Sequence, residues 1–244
     1  MFVKCLGCGD AFGSGGRLQT SFYIRAGGKG ILLDCGASTL IALRKEKLTP
    51  DDIDVILITH LHGDHFGGLP FILCEILALA RRKKTLTIIG PPAIRERTLQ
   101  ALACFYPGIA PTAESPIVFK IYTAGVKMEF EGLQIEACEA IHSPDSHPHS
   151  LRLEADQKVV VFSGDTEWSE NLIKISRGAD LFICECSSYA GAMPGHLSLK
   201  QLLLHVDRIE AKQIVLTHLG EDALKNVLKF PLAVASDGMI LMLD

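Results

Sequence analysis

The chain has 244 residues, of which 48% are hydrophobic and 21% charged, and its formal net charge is −4 at pH 7. A negative charge disfavours general binding to nucleic-acid backbones, which requires a basic surface. No apolar run reaches the roughly 18 residues that a membrane-spanning helix needs, so we expect no membrane association. No shift in composition marks a linker, and we therefore predict one domain over residues 1–244.

Eight cysteines are spread irregularly along the chain. Lys4 and Asp10 interrupt the early apolar run, so we expect no secretory signal, reduced thiols and a cytoplasmic location. The pair Cys5-x-x-Cys8 lacks the second pair that would complete a zinc site, and packing is its expected role. The basic run at 81–84 is expected to lie at the end of a helix, where it caps the last carbonyls and contacts water rather than binding phosphate.

The first half of the chain starts with strands and continues with alternating helices and strands. The predicted elements are strands at 2–6, 21–25, 30–34, 55–58 and 86–89, and helices at 37–47, 69–80 and 93–105. The glycine-rich loop at 7–17 leads into a strand and not into a helix, which disfavours a phosphate-binding loop. We expect this loop to let the backbone approach a neighbouring site.

The second half repeats the order of the first. The predicted elements are strands at 117–122, 126–130, 133–140, 150–153, 158–163, 181–184, 213–217 and 239–243, and helices at 169–175, 198–209 and 221–228. Both halves contain an apolar strand that ends in Thr-His, at His60 and at His218. This repetition predicts an α/β fold of two similar halves. Each half would be a sheet with helices on its outer face, and the sheets would pack face to face as a four-layer αββα sandwich.

Three histidines and an aspartate crowd the loop that follows the first of these strands. His60 and His62 are two apart in an extended segment, so their side chains point the same way. Asp64 and His65 follow a glycine, where the chain can turn sharply. Neutral imidazole nitrogens and carboxylate oxygens bind Zn²⁺ and similar ions at about 2.0–2.2 Å. We therefore predict a metal site in this strand-to-helix loop.

Three further candidate ligands stand at strand ends: His142, Asp165 and His218. A single histidine at a strand end is more often a satisfied polar residue than a ligand. Recurrence of the pattern in a chain that already carries a ligand cluster favours the metal interpretation.

The run His60-x-His62-x-Asp64-His65, followed by His142, Asp165 and His218, resembles the metallo-β-lactamase-fold hydrolases over almost the whole chain. The opening at 6–11 and the run at 60–70 most resemble the phosphodiesterase branch, which includes tRNase Z. The resemblance implies that His60, His62 and His142 hold one zinc ion, that Asp64, His65 and His218 hold another, and that Asp165 bridges them. Mn²⁺ and Fe²⁺ are alternatives to zinc.

The resemblance also implies a mechanism, in which a hydroxide shared by the two ions attacks a phosphodiester. Asp64 would orient this nucleophile as well as bind metal. Asp34, at a strand end, is a candidate to fix the tautomer of a ligand histidine, with a turn role as the alternative. Relatives in this branch are often dimers, which suggests a homodimer.

The chain departs from tRNase Z in two respects. Cys184 stands where that family has the histidine of a His-Glu-Ala-Thr stretch, so the role of proton donor passes to His196, His147 or His149. His196 is the catalytic candidate, and a structural role at a helix start is its alternative. Asp165 follows His142 by only 23 positions, which leaves no room for a tRNA-binding arm.

The sequence favours a metal-dependent hydrolase, most simply a phosphodiesterase acting on a small-molecule or nucleotide-type substrate. Two other substrates stay open: a thioester or lactone, whose carbonyl the same hydroxide can attack, and precursor tRNA. Cys184 slightly favours the carbonyl reaction, because such leaving groups need less protonation. A metal-binding protein without catalysis is the remaining alternative, and the full set of ligands argues against it.

Overall fold

The structure, a computed structural model, describes residues 1–79, 82–191 and 193–244. Within these residues the strands form two seven-stranded sheets, one from residues 2–121 together with the last strand and one from residues 128–234. The first sheet has the order β14-β1-β2-β3-β4-β5-β6. Its strands are β1 (Phe2–Gly7), β2 (Ser21–Ala26), β3 (Lys29–Leu33), β4 (Val55–Leu57), β5 (Leu86–Gly90), β6 (Ile117–Ile121) and β14 (Ile240–Met242).

The second sheet has the order β13-β12-β11-β10-β9-β8-β7. Its strands are β7 (Met128–Phe130), β8 (Leu133–Glu139), β9 (His149–Ala155), β10 (Lys158–Phe162), β11 (Leu181–Glu185), β12 (Ile214–Thr217) and β13 (Ala233–Val234). In each sheet, antiparallel pairing on one side gives way to parallel pairing on the other, from β3 to β6 and from β10 to β13. The carboxyl ends of parallel strands meet at one edge of a sheet, where polar side chains can converge.

The helices connect the parallel strands. They are α1 (Thr39–Lys45), α2 (Gly63–Phe66), α3 (Leu69–Leu79), α4 (Ile94–Phe105), α5 (Glu170–Ser176), α6 (Leu199–Leu203) and α7 (Glu221–Lys225). Short 3₁₀ turns lie at Ser14–Gly16, Pro50–Asp52, Pro144–Ser146, Val206–Arg208 and Val227–Lys229.

Three hydrophobic clusters separate the four layers. One lies between the two sheets and joins both halves of the chain, for example where the rings of Phe22 and Phe162 meet edge to face at 5.6 Å. The second lies between the first sheet and α1, α3 and α4, and the third between the second sheet and α5, α6 and α7. Apolar faces buried on both sides of each sheet require helices outside and a partner sheet inside. The predicted α/β fold, a four-layer αββα sandwich, is confirmed.

The strands predicted at 117–122 and 239–243 were wrongly assigned to the second half, because β6 pairs with β5 and β14 pairs with β1 in the first sheet. The other differences from the prediction concern the lengths of elements. The predicted helix at 198–209 ends at Leu203, and its second half is the 3₁₀ turn at Val206–Arg208; the helix predicted at 221–228 similarly ends at Lys225. The two-residue strand β13 carries too short a pattern to be predicted. Ala80 and Arg81, at the predicted end of α3 and in the basic run, lie outside the described residues.

Arg82 does not contact water as expected. Its guanidinium is buried and donates hydrogen bonds to the carbonyl oxygens of Pro50, Ile53 and Thr85. The expectation for this residue was wrong, because carbonyls of the turn before β4 and of Thr85, rather than water or a helix end, surround the guanidinium. Among the described residues, no helix has the length and apolar character to cross a bilayer.

Candidate metal centre

The histidine loop follows β4 directly, as predicted. His60 and His62 lie on extended backbone after the strand, and the chain then turns into the short helix α2, which carries Asp64 and His65. The backbone N–H of His65 donates to the carbonyl of His62 at 3.0 Å, which fixes this turn. Four donor side chains thus leave one loop toward the gap between the carboxyl edges of the two sheets.

The later candidate ligands arrive from the second sheet. His142 follows β8, Asp165 follows β10 and His218 follows β12. His218 has a left-handed backbone with φ of 60°, which is strained for a residue with a side chain, and its N–H donates to Cys8 O at 3.0 Å. Strain that the surroundings hold in place is frequent at functional sites.

The structure brings all seven predicted ligands together in two groups of donor atoms that share Asp165. The first group is His60, His62, His142 and Asp165, and the second is Asp64, His65, Asp165 and His218; within each group the donor atoms lie within 4.8 Å of one another.

Distances within the groups are those of ligands around a cation. In the first group, His142 Nε2 lies 3.0 Å from His62 Nδ1, and Asp165 Oδ2 lies 3.7 Å from His60 Nε2. In the second, His218 Nε2 lies 3.1 Å from Asp64 Oδ2, and His65 Nε2 lies 3.2 Å from Asp165 Oδ1. Ligands at tetrahedral zinc, with bonds of about 2.05 Å, would be about 3.3 Å apart.

Several of these atoms are buried without a hydrogen-bond partner: His60 Nε2, His65 Nε2 and Asp165 Oδ1. Native proteins rarely leave buried polar atoms unpaired, and a bound ion is one reason for an exception. Imidazole nitrogens and carboxylate oxygens are also the donors that borderline divalent ions accept. The residues present therefore fit a divalent metal.

Burial and the close approach of imidazoles and carboxylates shift the pKa values of the donor residues. Burial and the neighbouring imidazoles hold the pKa of His60 well below its usual range. For Asp165, burial works against the charged form, but His218 and His65 outweigh it and hold its pKa well below normal. For His218, burial opposes the charge, but Asp165 and Asp64 raise its pKa to about 9. Fixed carboxylates here attract positive charge, which a cation can supply.

Asp34 lies behind the donor cluster, at the end of β3. Its Oδ2 is 2.6 Å from Nδ1 of His65, and its other oxygen accepts a hydrogen bond from the Thr59 N–H at 2.7 Å. This contact fixes which nitrogen of His65 faces the cluster. The contact predicted between Asp34 and a ligand histidine is therefore present.

His196 joins the cluster from the loop between β11 and α6. Its Nδ1 lies 3.0 Å from Oε1 of Glu185, and its ring stacks on that of His218 at 5.5 Å. Burial lowers the pKa of His196, but Glu185 outweighs burial and raises the pKa above the ordinary value. His196 thus stands beside the metal ligands with a buried carboxylate behind it.

Cys184 does not face the site. The expectation that Cys184 stands in the place of a proton-donating histidine was therefore wrong. Successive residues of a strand point to opposite sides. On β11, Cys184 packs into the apolar cluster under the helices, and Glu185 points to His196. Sequence reasoning missed Glu185, because every residue of β11 is buried and the strand shows no alternation that would single out one face.

The two other histidine candidates lie apart from the cluster. Nδ1 of His149 is 2.8 Å from the carbonyl of His147, and its ring packs against Tyr122. His147 ends the 3₁₀ turn with a left-handed backbone. Neither belongs to the lining of the cavity described next.

A cavity of about 570 Å³ opens above the cluster. Its floor consists of the donors His62, Asp64, His142, Asp165 and His218, with His196 beside them. Its walls come from the glycine-rich loop after β1, the loop after β11 and the start of α7. The expected approach of that glycine-rich loop to a neighbouring site is therefore present.

Residues 1–231 match the model of the family described as Anti-Pycsar protein Apyc1. The chain belongs to this family. Curated relatives include ribonuclease Z of Mycobacterium bovis, 29% identical over 191 residues that cover 74% of this chain and 68% of the relative. Ribonuclease Z of Ignicoccus hospitalis is 27% identical over 258 residues, which cover 87% and 86% of the two chains.

Solved structures show the same fold as this member of the Apyc1 family. The metallo-β-lactamase fold protein YhfI of Bacillus subtilis superposes with a TM-score of 0.81, at 20% identity and 99% coverage of both chains. Human tRNase Z, short form, gives a TM-score of 0.79 at 24% identity and covers 100% of both chains. This Apyc1-family chain is a metal-dependent hydrolase of the metallo-β-lactamase fold, near the tRNase Z branch.

Proposed function

We propose that this chain is a phosphodiesterase that hydrolyses a small, nucleotide-type phosphodiester with two divalent ions, zinc in the first instance. His60, His62 and His142 would hold one ion, Asp64, His65 and His218 would hold the other, and Asp165 belongs to both groups of donors. The observation that carries the proposal is the convergence of two groups of buried and half-buried donors that share one carboxylate.

Two bound cations would supply an activated water and positive charge for the phosphoryl oxygens. The chain's own residues hold this arrangement in place. Asp34 orients His65, as its 2.6 Å contact shows, and Asp64 both binds metal and orients the attacking water. Because these side chains are buried and fixed before substrate arrives, little reorganisation accompanies the reaction.

His196 is the proposed proton donor to the leaving oxygen. Nδ1 is committed to Glu185, which leaves Nε2 to meet the substrate. Glu185 Oε1 also accepts a hydrogen bond from the Thr166 N–H at 2.7 Å, which fixes the carboxylate. A leaving alkoxide needs a proton, and an imidazolium positioned beside the scissile bond can give it.

The size of the substrate is argued from the segment between His142 and Asp165. This segment contains a 3₁₀ turn and the β9–β10 hairpin, and residues 143–164 leave no arm that could grip a tRNA. A cavity of about 570 Å³ accommodates a mononucleotide-sized molecule.

The test is turnover of bis-p-nitrophenyl phosphate and of cyclic mononucleotides by purified protein loaded with zinc or manganese. We expect hydrolysis that a chelator abolishes and added metal restores, and that Asp165→Ala reduces by more than about 10²-fold. The matched control is Asp207→Ala, which removes an exposed carboxylate outside the donor groups. Metal-loaded protein that cleaves neither kind of diester would end the proposal.

Processing of precursor tRNA is the second candidate, because the curated relatives are named ribonuclease Z. The missing arm and the net charge of −4 count against it. Parallel assays on precursor tRNA and on the small diesters decide between the two. Hydrolysis of a thioester or lactone was favoured only by Cys184 in the place of a proton donor. That argument no longer holds, because Cys184 faces the core.

A further inference from the structure

The outer part of the cavity combines apolar and acidic groups. Phe12, 83% exposed, and Met193, 42% exposed, stand at its rim. Three carboxylates line the walls around them: Asp10, Glu221 and Asp222. Among the described residues that line the cavity there is no lysine and no arginine. The floor is quite different, because Asp165 there is 98% buried and its Oδ1 has no hydrogen-bond partner among the described residues, as expected at a cation site.

The three wall carboxylates are held by backbone amides and not by cations. Asp10 Oδ1 accepts from the Ser14 N–H at 2.8 Å, Glu221 Oε1 from the Gly15 N–H at 3.3 Å, and Asp222 Oδ2 from the Tyr189 N–H at 2.9 Å. In the part of the chain that the structure describes, none of them forms an ion pair. Their negative charges are therefore not neutralised within the cavity.

Glu221 and Asp222 occupy the first turn of the short helix α7 and place two negative charges at the cavity wall. Together with Asp10, these charges disfavour a second phosphate beyond the one at the metals.

We propose that Asp10, Glu221 and Asp222 form a charge filter that admits phosphodiesters with a single negative charge and rejects those with a flanking phosphate. The proposal rests on the proposed phosphodiesterase function, whose substrate class it narrows. The preferred substrate carries one phosphate and an uncharged organic group that contacts Phe12. Oligonucleotides and nucleotides with additional phosphates are excluded by repulsion between like charges at short range.

The test compares two unreactive ligands that differ by one phosphate, thymidine 5′-monophosphate and thymidine 3′,5′-bisphosphate, by calorimetric titration of the metal-loaded protein. We expect the bisphosphate to bind more weakly, by about tenfold in about 0.1 M salt, with a smaller difference in about 1 M salt where charges are screened. In the double variant Glu221→Gln/Asp222→Asn this ratio of dissociation constants should fall at least about fivefold.

The amide side chains keep an oxygen that can accept the hydrogen bonds from Gly15 and Tyr189, so the loops should stay in place. The control double variant Glu129→Gln/Asp207→Asn removes two exposed carboxylates elsewhere and should keep the wild-type ratio. Equal or tighter binding of the bisphosphate by the wild type, or an unchanged ratio in the Glu221/Asp222 variant, would overturn the filter.

The same preparations are assayed on bis-p-nitrophenyl phosphate. This assay tests the phosphodiesterase activity independently of the charge filter. Discrimination between the ligands without turnover would contradict the phosphodiesterase and leave the filter standing. Turnover without discrimination would contradict the filter alone.

Discussion

Half-buried His196 and buried Glu185 form a pair whose distance of 3.0 Å leaves one imidazole nitrogen for the substrate. If His196 protonates the leaving oxygen, its loss must matter most for leaving groups that are poor without a proton. We predict that His196→Ala lowers kcat about 10²-fold for a cyclic nucleotide, whose leaving group is an alkoxide, and less than about tenfold for p-nitrophenyl esters. Steady-state kinetics on both substrates measure this difference. An equal loss on both would assign His196 a structural role.

The residues of the site differed in how far the sequence could predict them. Four of the seven donors stand just after strands: His60, His142, Asp165 and His218. The other three share the loop of His60. Both patterns are visible without a structure, and the structure brings all seven together. Glu185 could not be found in this way, since it ends a strand that is buried on both faces. His147 and His149 were close in sequence to His142 but turn away from it, because the 3₁₀ turn at Pro144–Ser146 reverses the chain.

The histidine loop and the end of β3 pack together through glycines. The N–H of Gly68 donates to Cys35 O at 2.8 Å, and a Cβ at Gly68 would collide with the backbone oxygen of Gly36. We predict that Gly68→Ala destabilises the protein by roughly 1–3 kcal/mol and lowers its metal content, because the loop must move away from Asp34. Denaturant unfolding and metal analysis measure the two effects.

Gly63, in the same loop, is the matched control. A Cβ there would meet nothing within 4 Å, so Gly63→Ala should change the stability by less than about 0.5 kcal/mol. If the two variants behaved alike, the tight packing of the loop against β3 would not determine the metal site.

Asp180 connects the starts of β10 and β11, at the other end of these strands from the site. Burial works against its charge, but hydrogen bonds from Lys212 and the Val159 N–H, both 2.8 Å, outweigh it and lower its pKa. A carboxyl whose folded pKa is lowered stabilises the fold above its unfolded pKa of about 3.9 and loses that effect as the pH falls through the folded value.

We therefore predict that Asp180→Asn lowers the free energy of unfolding by about 1 kcal/mol at pH 7, and that the difference disappears below about pH 3. Denaturant unfolding at several pH values measures it. Asp207→Asn, at an exposed position, should show no such dependence. A difference that persisted in acid would contradict a role for the charge of Asp180.

The length of a helix could be predicted from its hydrophobic periodicity only where every apolar residue of the pattern packs against the core. The helix predicted at 198–209 begins as expected, with Ser198 accepting a hydrogen bond from the Gln201 N–H, but it ends at Leu203. Leu204 is 72% exposed, so the apolar residue that extended the pattern does not face the core. Periodicity alone could not show which leucines pack.

Across the whole molecule, both halves share the apolar cluster between the sheets, and the last strand returns to the first sheet, where Leu241 pairs with Val3. We propose from this that residues 1–244 unfold as one cooperative domain. Far-UV circular dichroism and the fluorescence of Trp168 should report the same midpoint in denaturant. Separate transitions would indicate two domains.

The central claim is that the two halves of the molecule hold two cations between them. X-ray diffraction of crystals of the zinc-loaded protein, recorded above and below the zinc absorption edge, tests it most directly. The account predicts two anomalous peaks, one beside His60, His62 and His142 and one beside Asp64, His65 and His218, with Asp165 between them. Crystals that take up zinc elsewhere, or show no peak at these residues, would contradict it.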